Sequence, residues 1–277
     1  MRSSGLPIGV FDSGIGGLTV LRALRLRLPH EPMVYLGDTA RLPYGTKTGK
    51  TIESYALQAS DHLVASGIKL LVVACNTASA YALPALQQRH PGLPIIGVIE
   101  PPAAEACRVS KSGRIAVIAT EATVRAGAYQ QAIARLRPKA RVEARACSLL
   151  VGLAEEGWVE GAVADVVLRR YLEPLLSPEG ESPPDCLVLG CTHFPLLRQA
   201  IAAIAGPNVG LVDSSAVVDS VVGALARHEL AVEGEGQASL RLLATDGAER
   251  FATLAALFLG MPLSPDRVEL VALAPAR

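Results

Sequence analysis

The chain has 277 residues, 50% of them hydrophobic and 19% charged. That balance excludes an intrinsically disordered protein and suits one large domain or two of about 150 residues each. Lys plus Arg and Asp plus Glu each number 26, a net charge of zero, so no basic surplus argues for nucleic acid or an acidic membrane surface. The longest apolar runs, 70–75 and 94–99, fall far short of the ~20 residues that span a bilayer, and residues 1–17 lack the apolar stretch of a signal peptide. No membrane segment and a cytoplasmic location are therefore expected. The five cysteines, Cys75, Cys107, Cys147, Cys186 and Cys191, are an odd number in a chain too long to need staples, which favours reduced thiols.

Short Val/Ile/Leu runs alternate with segments of helical period, the mark of βα units around a parallel sheet. Strands are expected at 8–11, 33–36, 70–74 and 95–99. Between the first two, Leu18, Leu21, Leu24 and Leu28 form one helical stripe ended by Pro29, and a helix over 51–66 closes at Gly67. The series then starts again, with strands at 115–119, 142–146, 187–189 and 209–212. The two series are offset by roughly 110 residues, which points to an internal duplication of a four-strand unit. The Pro-rich stretch 176–184 reads as a surface loop, and a strand at 240–244, a helix over 248–259 and a strand at 268–271 complete the chain.

The duplication is plainest at the third strands, where Ala74-Cys75-Asn76-Thr77 parallels Gly190-Cys191-Thr192-His193. Each cysteine ends a strand and enters a helix turn, a setting that lowers a thiol pKa and argues against simple core packing. His193 has the ordinary pKa to orient or protonate the neighbouring sulfur. A zinc site on Cys191 and His193 is the weaker alternative, since no C-x-x-C pair accompanies them. The glycine turn Asp12-Ser13-Gly14-Ile15-Gly16-Gly17, with Asp38 closing the next strand, imitates a dinucleotide fingerprint. Its spacing is wrong, and Asp12 would repel a pyrophosphate. The loop Asp38-Thr39-Ala40-Arg41-Leu42-Pro43-Tyr44-Gly45 follows a strand carboxyl end, where ligand crevices form. Glu155 reads as a helix-end carboxylate or a third member of a site, and Thr120 and Thr123 as hydroxyl donors or caps.

Taken together, Asp12-Ser13-Gly14-Ile15-Gly16-Gly17, Pro43-Tyr44-Gly45, Ala74-Cys75-Asn76-Thr77-Ala78-Ser79, Gly97-Val98-Ile99-Glu100-Pro101 and Gly190-Cys191-Thr192-His193-Phe194-Pro195 resemble the bacterial glutamate racemase family. The resemblance implies two similar α/β domains, each a mainly parallel sheet flanked by helices, related by a pseudo-twofold with the site between them. It divides the chain into 1–98 plus 209–277, the first domain completed by the C-terminal tail, and 99–208. It implies a cofactor-independent, metal-free isomerase that interconverts L- and D-glutamate and supplies the D-isomer for peptidoglycan, hence for the cell wall and cell shape. Cys75 and Cys191 match the two acid/base thiols, Cys191 acting on the L-isomer and Cys75 on the D-isomer. Asp12 and His193 match their helpers, and Glu155 the carboxylate near His193. Ser13, Tyr44, Gly45, Asn76, Thr77 and Thr192 match substrate-binding positions together with Asp12 and His193, and Thr120 and Thr123 join them. No partner beyond the small-molecule substrate is implied, and a homodimer is left open. The competing readings are an aspartate racemase, a nucleotide-binding module and a noncatalytic binding protein on the same scaffold.

Overall fold

The computed structural model describes residues 3–177, 182–232, 234, 236 and 238–274. In chain order the first unit runs β1 (Ile8–Asp12), α1 (Leu18–Arg27), β2 (Met33–Gly37), α2 (Gly49–Ala65), β3 (Leu70–Val73), α3 (Asn76–Arg89) and β4 (Ile95–Gly97). The second follows with α4 (Glu100–Val109), β5 (Arg114–Ala119), α5 (Glu121–Ala126), α6 (Ala128–Leu136), β6 (Arg141–Ala146), α7 (Leu149–Glu155), α8 (Ala162–Leu176), β7 (Cys186–Gly190), α9 (Arg198–Ala205) and β8 (Gly210–Asp213). The chain returns through α10 (Val217–Arg227), β9 (Leu240–Ala244), α11 (Ala248–Leu259) and β10 (Val268–Leu270).

Among the described residues the strands form two all-parallel sheets, a six-stranded one ordered β10-β9-β2-β1-β3-β4 and a four-stranded one ordered β6-β5-β7-β8. The order β2-β1-β3-β4 is repeated as β6-β5-β7-β8, so the duplication read from the sequence is present in the topology. The inner strands are continuous apolar runs because helices cover both of their faces. Alternate residues confirm this: Ile8 and Val10 of β1 enter one core while Phe11 enters the other. In the second sheet Ala116 and Ile118 face one core, and Ile115 and Val117 the opposite one. On α1 the buried stripe is Leu18, Val20, Leu21 and Leu24, each side chain contributing about 1.5–3 kcal/mol by its burial.

The tail strands extend the first sheet beyond β2, with Met33 opposite Leu240 and Leu242 opposite Val268. One expected border is corrected. Placing 209–277 with the first domain cuts away β8, which pairs with β7 from Cys186↔Gly210 to Leu189↔Asp213. Leu211 and Val212 pack into the two cores of the second unit, and the chain rejoins the first core only at Val217 and Val221 of α10. The Pro-rich stretch expected as a loop lies partly outside the described residues, at 178–181. No helix among the described residues is long and apolar enough to cross a membrane.

Candidate active site

A parallel sheet gathers its functional side chains at strand carboxyl ends. Asp12 ends β1 and is buried, and its Oδ2 accepts from Gly14 N at 2.9 Å. The amides of Ser13 and Gly17 also turn toward this carboxylate. The glycine turn therefore spends its donors on Asp12 rather than offering them to a phosphate. Burial still pushes the Asp12 carboxyl above its ordinary value, against the opposing pull of His193 and these amides. Asp38 is equally unsuited to a ribose. It is fully buried and accepts from Tyr44 Oη at 2.5 Å, Arg41 Nε at 2.7 Å and Thr245 Oγ1 at 3.0 Å. The dinucleotide reading thus loses the Ser13, Gly14 and Gly17 amides to Asp12 and the Asp38 carboxylate to its own partners.

Cys75 follows β3 and caps α3, its sulfur accepting from Ala78 N at 3.4 Å. Its thiol donates to Ser13 Oγ at 3.3 Å. Here the expected lowering by the helix end is reversed: burial pushes the Cys75 thiol up to about 12, and the charge of Asp12 adds to it. Cys75 is thus a neutral thiol that carries its proton. Cys191 follows β7 in the equivalent place and leads into a short 3₁₀ turn, Phe194–Leu197, rather than directly into an α-helix. Its sulfur lies 3.7 Å from His193 Nδ1, while His193 Nε2 lies 3.0 Å from Glu155 Oε1. Burial alone would push the imidazole down. The hydrogen bonds to Cys191 and Glu155, with the charge of Asp12, outweigh it and raise His193 to about 10. The surroundings of the ring thus favour its charged form beside the sulfur, the kind of partner that a thiolate requires.

Both thiols line one cavity of about 280 Å³, each delivered by a different unit. From the first unit come Ser13, Tyr44, Gly45, Cys75, Asn76 and Thr77; from the second come Thr120, Cys191, Thr192 and His193. Asp12, Glu155 and Thr123 stand behind this wall. Because α3 starts at Asn76, the amides of Asn76 and Thr77 have no acceptor within the helix and are free for an anion. The Asn76 side chain is committed elsewhere, with Nδ2 donating to Tyr129 Oη at 2.9 Å and Oδ1 accepting from Ser214 Oγ at 3.3 Å. Thr77, Thr120 and Thr123 form a triangle of hydroxyls 2.9–3.0 Å apart that joins the two units. Thr120 also caps α5. Pro43, in the loop expected at the crevice, is a wall residue; sequence reasoning missed Thr46, and Ser148, Val151 and Gly152. The last three follow β6, so the strand-end rule applied to the strand at 142–146 would have found them.

The units meet tightly at this point. A Cβ on Gly16 would lie 2.4 Å from both His193 Nδ1 and Thr192 Oγ1, so only glycine fits against the second unit. Gly16→Ala is expected to cost about 1–3 kcal/mol by overpacking, read as a lower urea midpoint; an unchanged midpoint contradicts this contact. Away from the thiols, a larger open recess of about 660 Å³ lies between α4 and α10. Its arginines are paired, Arg108 with Glu105 and Arg198 with Asp213. Cys147 and Cys186 are buried in the second unit and Cys107 is half-buried on α4, none of them lining the cavity. Among the described residues no group of three His, Cys, Asp or Glu is arranged to hold a metal.

Comparison with known proteins gives this geometry a family. A family model described as Asp/Glu/Hydantoin racemase matches residues 18–222. The glutamate racemase of Geobacter metallireducens is 51% identical over 220 residues, which cover 79% of this chain and 80% of the relative. That of Chlorobaculum tepidum is 44% identical over 270 residues, 97% of each chain. The crystal structure of glutamate racemase from Francisella tularensis in complex with D-glutamate superposes with a TM-score of 0.88 at 34% identity, covering 97% of this chain and 98% of that one. A duplicated α/β fold with these relatives defines an amino-acid racemase, an isomerase. The chain belongs to the Asp/Glu/Hydantoin racemase family, among its glutamate racemases.

Proposed function

We propose that the protein interconverts L- and D-glutamate by two-base proton transfer at the α-carbon, with Cys75 and Cys191 as the bases and no cofactor. The observation that carries this reading is the delivery of one thiol from each of two equivalent strand ends to a single cavity. Inversion requires a proton to leave one face of the carbon and another to arrive on the opposite face, and a duplicated unit supplies a group for each. In the L-to-D direction Cys191, as thiolate beside the His193 imidazolium, takes the α-proton. The C–H bond breaks, an S–H bond forms, and the electron pair left on carbon delocalises into the α-carboxylate. Cys75 then gives its thiol proton to the other face. The D-to-L direction starts from the form this leaves, Cys75 as thiolate and Cys191 as thiol: Cys75 takes the α-proton of D-glutamate and Cys191 gives its thiol proton to the opposite face.

The amides at the start of α3 and the hydroxyls of Thr77, Thr120 and Thr192 are placed to hold developing negative charge, the electrostatic contribution on which a carbanion-like transition state depends most. Ser13 and the Tyr44-Gly45 turn complete the wall, with Thr123 behind it. Asp12 stands behind Cys75 as His193 and Glu155 stand behind Cys191. The D-isomer is supplied to peptidoglycan synthesis in the cytoplasm. The working division assigns 99–213 to one domain and the remainder to the other.

Purified protein given L-glutamate without added cofactor is expected to yield a nearly equal mixture of enantiomers by chiral chromatography and to leave L-aspartate almost untouched. Faster turnover of aspartate rejects the substrate assignment, and no turnover of either rejects the activity.

A further inference from the structure

The carboxylate that backs His193 has a second oxygen, and the other unit holds it. Glu155, at the end of α7, contacts His193 Nε2 through Oε1 at 3.0 Å and accepts from Arg250 Nη2 through Oε2 at 3.2 Å. Arg250 lies in the first turn of α11, which packs on the first sheet through Phe251 and Phe258. Phe258 also meets the His193 ring edge-on, with centroids 5.2 Å apart. One helix of the first unit therefore touches both groups that stand behind the Cys191 sulfur of the second.

We propose that Arg250 is a positioning residue for the acid/base group at Cys191. By holding Oε2 of Glu155 it keeps Oε1 on His193 Nε2 and His193 Nδ1 turned to the sulfur, so that this arm of the site is complete only when the two units are docked. The inference rests on reading Cys191 as a base. A carboxylate anchored at one oxygen cannot rotate away from the imidazole it orients, which is how an outer hydrogen bond fixes the direction of an inner one. Arg250 is 64% exposed along its side chain, so the ion pair itself adds little stability, and what it supplies is orientation.

The charged groups facing His193 are Cys191 from its own turn, Glu155 from α7 and Asp12 from β1, with Arg250 of α11 reaching it through Glu155. This arrangement gives two explanations opposite signs. Deleting a positive charge, and nothing else, makes the imidazolium easier to keep and raises its titration midpoint. Releasing Glu155 to swing away removes the partner of Nε2 and lowers it.

The test uses full-length Arg250→Met and Arg250→Lys, with the His193 imidazole titrated by NMR in histidine-labelled protein and kcat and KM measured on L-glutamate. Arg250→Met is expected to lower kcat about tenfold with KM nearly unchanged and to bring the His193 midpoint below that of the native protein. Arg250→Lys is expected to restore most of both. A midpoint that stays or rises in Arg250→Met, or an unchanged kcat, overturns the proposal. Should Arg250→Met fold poorly by near-ultraviolet circular dichroism, Arg250→Gln carries the same comparison. Failure of the underlying reading is separable: Cys191→Ala that still racemises removes Cys191 as a base, whereas the role of Arg250 is judged from the His193 midpoint with the Cys191 sulfur in place.

Discussion

Cys75→Ala and Cys191→Ala are each expected to lower racemisation by at least about 10³-fold, the scale of losing a positioned acid/base group. The losses should be equal in kind, because inversion cannot finish with one thiol. They should also not add in the double variant, since either single change already stops the reaction. Alanine removes only one sulfur from a cavity wall, so both variants should bind glutamate and keep a native circular dichroism spectrum. A folded Cys75→Ala protein that racemises at near-native rate would falsify the two-thiol assignment and move the search for the base to Asp12 or His193.

The largest expected stability effect lies at the opposite end of the first sheet. Lys69, just before β3, is buried and its Nζ donates to Glu31, to Ser4 O at 2.6 Å and to Leu230 O at 2.9 Å. Glu31 also accepts from Val232 N at 2.8 Å. These bonds strap the segment that follows α10 to the sheet the tail must rejoin. Lys69→Met leaves the Glu31 charge buried without its partner and is expected to cost about 3–5 kcal/mol, whereas Lys69→Met with Glu31→Leu should cost much less because no charge is stranded. Urea unfolding monitored by circular dichroism measures both. A single-variant loss below about 1 kcal/mol would mean that the pair is not carrying its buried charge as described.

Most of the architecture was legible because a buried parallel sheet needs unbroken apolar strands, and those runs stand out against helical segments. The four strands at 8–11, 33–36, 70–74 and 95–99 and their repeat appear within a residue or two of their ends. The border at 208/209 was not legible, since the short run 209–212 shows its sheet only through its partner β7. The strand-end cysteines were found because both follow a strand and precede a turn. Their ionisation was not: the helix end at Cys75 is a local feature, while the burial and the Asp12 charge that push its thiol up come from β1. Likewise the contact of Arg250 with Glu155 joins residues far apart in the chain and carries no sequence signature. Glu155 is legible through the resemblance, as the carboxylate near His193, while its own stretch reads equally as a helix end; the fold puts its Oε1 3.0 Å from His193 Nε2.

The central claim, one thiol for each face, is tested most directly by racemisation in deuterated water. Starting from L-glutamate, early samples from the native protein are expected to hold deuterium at the α-carbon of the D-glutamate formed and almost none in the L-glutamate that remains, because the Cys75 proton has exchanged with solvent before it is delivered. Starting from D-glutamate, the pattern should reverse. Cys75→Ala should then exchange the α-hydrogen of L-glutamate alone, without forming the D-isomer, and Cys191→Ala that of D-glutamate alone. Equal deuterium in recovered substrate and product from the first time points would contradict the account, since a single group serving both faces returns label to either enantiomer.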